Sequence, residues 1–190
     1  LEFSCLLGVV PARFGHGDDQ PVDLDTLFRM ARGRAPTGTP AAACEMTKWF
    51  DTNYHFIVPE FEAGQTFKLS STKPVDEFLE AKALGIHTRP VLIGPVTYLM
   101  LGKSAGTDPD PLALLENILP VYETLLKQLA AAGADWVQVD EPTLGLTLDS
   151  KQRSAYGRAF ARLTAAAPRL KLLVAVYFSD LRENPKVALA

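Results

Sequence analysis

Several common signatures are missing from these 190 residues. No run of eighteen apolar residues occurs, so no segment reads as a membrane-spanning helix. No Lys/Arg-rich tract stands out and the net charge is −3, so neither nucleic acid nor an anionic membrane is an expected partner. The two cysteines, Cys5 and Cys44, are far apart and form no CxxC, which excludes a disulfide framework and leaves two free thiols in a reducing compartment as the expectation. His16, His55 and His87 are scattered, whereas a zinc site gathers three or four N, S or O ligands. GxGxxG and GxxxxGK[ST] are absent, which argues against the usual dinucleotide and phosphate-loop chemistries. The start, LEFSCLLGVV, has neither an initiator Met nor the basic region and cleavage site of a signal peptide. Together with the abrupt end NPKVALA, it suggests a fragment.

What remains is ordinary for one folded domain: 47% apolar and 22% charged residues. The pattern alternates strands and helices. DLDTLFRMAR (Asp23–Arg32) puts Leu24, Leu27, Phe28 and Ala31 on one helical face, with Gly33 as a stop. GRAPTGTPAAA reads as a loop, TFKLS (Thr66–Ser70) as a short strand, and Pro74 to Gly85 as a helix. PVLIG (Pro90–Gly94), apolar on both faces, reads as a buried parallel strand, and Pro95 can open a short helix. A long helix is expected from Pro111 to Ala132, a strand at WVQVD (Trp136–Asp140), a helix over Ser150–Ala166 and a strand at Leu172–Tyr177. This order predicts an α/β fold with parallel strands. Without a Gly-rich nucleotide turn, it favours a partial (β/α)8 TIM-type barrel, truncated at both ends, with residues 1–190 as one incomplete barrel domain.

Three stretches invite chemistry. In VQVDEP, Val137 and Val139 face the helices while Trp136, Gln138 and Asp140 face the other way. Asp140 and Glu141 then end a strand, where paired carboxylates can bind a cation or move a proton, or can serve a structural network with a neighbouring Lys or Arg. In GPVTYLMLGK, the backbone N–H groups after Gly94 can meet an anion, or the segment is a tight turn above an apolar helix. In EMTKWFDTNYHFIVPEF no single helix or strand period fits. Lys48, Asn53 and His55 can hold carboxylates beside Trp49 and Tyr54, or the segment is an aromatic cluster with polar residues satisfying a loop. From these residues alone, a self-sufficient barrel enzyme, a noncatalytic binding barrel and a structural domain all stay open.

Three long blocks narrow the choice: RGRAPTGTPAAACEMTKWFDTNYHFIVPEF, RPVLIGPVTYLMLGK and LPVYETLLKQLAAAGADWVQVDEP. From about Leu6 to Tyr177 the sequence resembles the N-terminal domain of the cobalamin-independent methionine synthases. The resemblance implies a cytoplasmic two-barrel methyltransferase that moves a methyl group from 5-methyltetrahydropteroyltriglutamate to homocysteine, making methionine. It implies a zinc ion and a homocysteine pocket in the other, C-terminal barrel, and no zinc ligand and no catalytic residue in this segment. By the same resemblance, Lys48 of EMTKWF contacts the polyglutamate tail, Asn53 of DTNYH is a second candidate, and the acidic Asp140–Pro142 stretch is a relic. The fragment alone is expected to be inactive. The alternative is a standalone, noncatalytic ligand-binding or assembly barrel.

Overall fold

A computed structural model describes residues 1–17, 20–105 and 110–188 of the chain. Its contacts sort into two units, Leu1–Ser71 with Leu101–Pro111, and Thr72–Met100 with Leu112–Ala190.

In the first unit a short helix α1 (Glu2–Leu6) and a 3-10 turn (Ala12–Phe14) precede α2 (Leu24–Arg32). The Asp23 carboxylate starts α2 by accepting the Thr26 N–H at 2.6 Å, and Gly33, with φ +80°, ends it in the left-handed region. Arg29 of α2 is only 6% exposed and donates to Thr37 O at 2.7 Å, Thr26 Oγ1 at 2.7 Å and Phe14 O at 3.3 Å. The GRAPTG loop is therefore wrapped around a helix side chain. A Cβ at Gly38 would lie 2.0 Å from the Arg29 guanidinium. Beyond the loop, β1 (Met46–Lys48) and β2 (His55–Ile57) form an antiparallel hairpin, and β3 (Glu60–Glu62) pairs in parallel with β5 (Lys103–Ala105). Phe14, Met30 and Cys44 are the buried centre of a small core that includes Ile57.

The second unit has the repeating strand–helix order. It runs α3 (Lys73–Ala83), β4 (Val91–Ile93), α4 (Pro95–Met100), α5 (Leu115–Ala132), β6 (Trp136–Asp140), α6 (Ser150–Ala166), β7 (Lys171–Ala175) and α7 (Pro185–Ala188). Strands β4, β6 and β7 form one parallel sheet in the order β4-β6-β7. One face of β6, Val137 and Val139, is fully buried, as is the stripe Ile118, Leu119, Leu126 and Leu129 of α5. The hydroxyl of Tyr122 on α5 donates to Ile93 O at 2.7 Å, fastening that helix to the end of β4. A reciprocal pair of bonds between Asp149 and Gln152 opens α6.

The fold class is α/β with parallel sheets, as the alternation predicts, and among the described residues the sheets have two, two and three strands with no closed barrel. Three local expectations are corrected. Thr66–Ser70 is not a strand, although Lys68 and Ser70 donate their N–H groups to Leu7 O and Leu6 O. Among the described residues no strand pairs with it. The helix expected from Pro111 begins as a 3-10 turn (Pro111–Leu114) before α5 proper. The β4 strand is not apolar-buried on both faces: Val91 is 54% exposed, on the sheet face it shares with Gln138 and Trp136 of β6, where Trp136 is 42% exposed as well.

Replacing Asp149 by Ala removes the acceptor for the Gln152 N–H at the start of α6. The expected cost is about 1 kcal/mol of stability, read as a lower urea midpoint at unchanged slope. An unmoved midpoint would show that the cap contributes nothing.

Candidate functional site

The segment with no single period resolves into two strands joined by a turn. Lys48 ends β1, His55 opens β2, and the two are cross-strand partners. Trp49 N–H donates to Tyr54 O at 2.7 Å and Val58 N–H to Glu45 O at 2.8 Å. Hydrogen-bonded pairs alternate along an antiparallel ladder, so Lys48 and His55 form a non-hydrogen-bonded pair, the type in which side chains lie closer. In the turn, Thr52 Oγ1 donates to Trp49 O at 2.6 Å and accepts the Tyr54 N–H at 3.1 Å. Phe50 takes φ +52°, an uncommon conformation for a bulky residue. The Trp49 ring meets Phe50 and Phe56 edge-to-face, each with centroids 5.3 Å apart. Trp49 thus belongs to an aromatic clamp that fixes the turn, while Tyr54 is 73% exposed. The clamp presents Lys48, Asn53 and His55 to solvent, and their side chains make no hydrogen bond or ion pair among the described residues.

The two acids at the end of β6 do not act as a pair. Asp140 lies on the same face as Gln138, whose Nε2 donates to Asp140 Oδ1 at 2.7 Å. Gln138 Oε1 in turn accepts from Arg89 Nη2 at 2.8 Å. This is the structural network with a neighbouring arginine, relayed through Gln138, which the strand alternation had placed on the face of Asp140. Glu141 turns the other way and is 0% exposed. Its carboxylate accepts the Val96 N–H at 3.2 Å and the Thr97 N–H at 2.7 Å, at the start of α4, and the Tyr156 hydroxyl of α6 at 3.3 Å. The anion that meets the N–H groups after Gly94 is therefore the protein's own side chain. A Cβ at Gly94 would lie 2.1 Å from that carboxyl group, so this position has room for glycine alone. Burial pushes the Glu141 pKa up to about 7, outweighing the opposing pull of the hydrogen bonds from Thr97, Val96 and Tyr156. Burial and the nearby Glu141 also push the Tyr156 phenol far up.

A cleft of about 250 Å³ lies where β4 and β6 begin, lined by His87, Thr88, Arg89, Trp136 and Leu173. His87 is 3.1 Å from the Asp135 carboxylate, and the Lys171 ammonium sits 5.1 Å from the Trp136 ring centre. It opens at the strand starts, the end opposite to where barrel enzymes build their active sites.

The cysteines are both free. Cys44 is buried beside the Arg13–Glu60 ion pair, and burial, reinforced by Glu60, pushes its thiol up to about 12. A thiol held so strongly protonated is a poor metal ligand. Among the described residues no group of three or more His, Cys, Asp or Glu side chains could hold a metal ion. The described residues therefore gather no ligand set that fits zinc.

The chain matches, over residues 1–190, the family described as cobalamin-independent synthase, N-terminal domain. It is 53% identical over 204 residues to the 5-methyltetrahydropteroyltriglutamate–homocysteine methyltransferase of Mesorhizobium japonicum, an overlap covering 100% of this chain and 26% of that protein. The protein of the same name from Parvibaculum lavamentivorans is 55% identical over 183 residues, covering 96% of this chain and 24% of that protein. The one from Yersinia enterocolitica is 54% identical over 184 residues, covering 97% and 24% respectively. The chain spans about a quarter of the length of the curated relatives it matches.

The folded chain holds the Glu141 proton more tightly than the unfolded chain, where the carboxyl has its ordinary value of 4.5. Its contribution to stability is fully present below pH 4.5 and is lost as pH rises through about 7. Glu141→Gln keeps the oxygen acceptor and cannot titrate. The stability difference between wild type and this variant should fall by about 3 kcal/mol between pH 4.5 and pH 7.5. Parallel pH–stability curves would mean that Glu141 does not carry a raised pKa.

Proposed function

The chain belongs to the family of cobalamin-independent synthase N-terminal domains, and on that premise we propose that it is one part of a methionine synthase. The whole enzyme would move a methyl group from 5-methyltetrahydropteroyltriglutamate to homocysteine. The names of these relatives support the reaction. In this reading residues 1–190 are part of one (β/α)8 barrel domain, a view supported by the parallel strand–helix order of β4, β6 and β7. The segment supports the catalytic barrel and holds the folate's polyglutamate tail.

The observation that carries the tail assignment is Lys48, exposed at the tip of a stiffened hairpin with no counter-charge of its own among the described residues. A tail of several carboxylates needs fixed positive charge on a surface wide enough to admit a flexible chain. A lysine is a compact charge on a long stem, and it can follow a carboxylate that moves. Asn53, exposed in the same turn, adds an amide donor. Neither residue performs chemistry. Their interactions are equally strong in the ground and transition states, so they act on binding rather than on the methyl-transfer step. We assign the zinc ligands and the homocysteine pocket to the rest of the enzyme. The cytoplasmic location that the resemblance implies is part of the same proposal.

Two outcomes test this reading. The 190-residue chain alone, supplied with zinc, homocysteine and the methyl folate, should give no methionine above a protein-free blank. Turnover well above that blank would put the active site within this segment. In the full-length enzyme, Lys48→Ala should raise the KM for the triglutamate substrate about tenfold, the scale of one charge-assisted contact, and leave the monoglutamate KM nearly unchanged. Equal losses for both substrates would remove Lys48 from the tail site.

A further inference from the structure

Resting on the tail-binding reading of Lys48, we propose that His55 is the second cation of that site and makes its affinity for the polyglutamate tail depend on pH. The argument begins with the register of the hairpin. Lys48 and His55 are direct partners in a non-hydrogen-bonded pair, which brings their Cβ atoms to about 4.5–5.5 Å on one face. Both side chains are exposed, and neither has a hydrogen bond or ion pair among the described residues.

Two cation-capable groups directly opposite each other repel when both are charged. Among the described residues neither side chain is paired with an opposite charge. Within the hairpin segment Glu45–Val58 three other charged residues accompany His55. Lys48 faces it on β1, Asp51 is exposed in the connecting turn, and Glu45 at the far end of β1 is already held by Lys103. A ligand with closely spaced carboxylates supplies what the hairpin lacks, and the two side chains together offer it a forked cationic seat. The pair cannot slide apart, because the Trp49 clamp and the Thr52 hydrogen bonds fix the turn that joins the strands.

Histidine is the side chain that changes charge between pH 5 and 8, while lysine and the glutamyl carboxylates of a tail keep theirs across that window. Tail binding should tighten as pH falls from 8 to 6.

The test measures dissociation constants by calorimetry for the folate triglutamate and monoglutamate, using the full-length enzyme at pH 6 and pH 8. The readout is the preference for triglutamate, which a purely structural role for His55 would leave independent of pH. Wild type should show a preference about threefold greater at pH 6 than at pH 8, on the scale of one exposed ion pair. His55→Gln should have the pH 8 preference at both pH values. His55→Arg, which restores a permanent charge, should have the pH 6 preference at both, and it serves as the independent variant if Gln disturbs the hairpin. A His55→Gln enzyme that keeps the wild-type pH dependence, or a His55→Arg enzyme that does not lose it, overturns the assignment of His55. Loss of the preference in Lys48→Ala with no effect of either His55 variant would sink this inference and leave the Lys48 contact standing. A full preference retained by Lys48→Ala would overturn the tail contact itself.

Discussion

One buried carboxylate organises the second unit. Glu141 stands at the end of β6 with two backbone N–H groups of α4 and the hydroxyl of Tyr156 from α6 converging on it. A six-residue helix such as α4 has too few internal bonds to be stable by itself. Its first N–H groups need an acceptor away from water, and the strand next to it supplies one. The cost of burying a carboxyl group is met by those donors and by its shift toward the protonated form. The arrangement also explains Gly94, where any side chain would occupy the space of the Glu141 carboxyl group. Thr97 and Thr143 continue the network, with their hydroxyls 2.8 Å apart. Strand, helix start and following helix thus share one small polar knot inside an apolar core.

The first unit solves a different problem. It has few long elements and holds its shape through side chains that reach across loops: Arg29 into the GRAPTG loop, Arg13 to Glu60, and Trp49 between two phenyl rings. The exposed polar residues of the hairpin owe their position to that aromatic clamp. The rigid part of the segment is apolar and local, and the part available to a ligand is polar and unpaired. This division answers the odd composition of EMTKWFDTNYHF, where chemistry and scaffold are interleaved residue by residue.

Much of this was legible in the sequence where the signal is local. The extent of the Asp23–Arg32 helix, the stop at Gly33, the long stripe of α5 and the alternation of β6 all rest on neighbours within a turn or two, and all appear at or near the expected residues, whereas the buried face of that first helix is Thr26, Arg29 and Met30 and the expected Leu24 is 67% exposed. What the sequence concealed depends on distant partners. Glu141 reads like half of a carboxylate pair until the Val96 and Thr97 N–H groups, more than forty positions away, are brought to it. The Arg89–Gln138–Asp140 chain also needs the β4–β6 register to be visible. TFKLS has the alternation of a strand, yet strand identity depends on a partner, and Leu6 and Leu7 supply only two backbone acceptors. Lys48 and Asn53 were nameable because of the long block around them. Their side-by-side presentation with His55 comes from the hairpin register.

The buried Arg29 has a consequence for which parts of this chain can change length. The Thr37 carbonyl must reach the guanidinium while the Ala41 N–H bonds to Gly33 O at 3.0 Å, so the loop is measured at both ends. One extra residue between those anchors would unseat a charged group from the carbonyls that solvate it. At the turn of Gly64 a Cβ would meet nothing within 4 Å, yet its φ of +69° favours glycine and the Gln65 N–H bonds to Glu62 O at 3.0 Å. The glycine–proline loop after α2, which reads as a flexible linker, is thus as fixed in length as a strand.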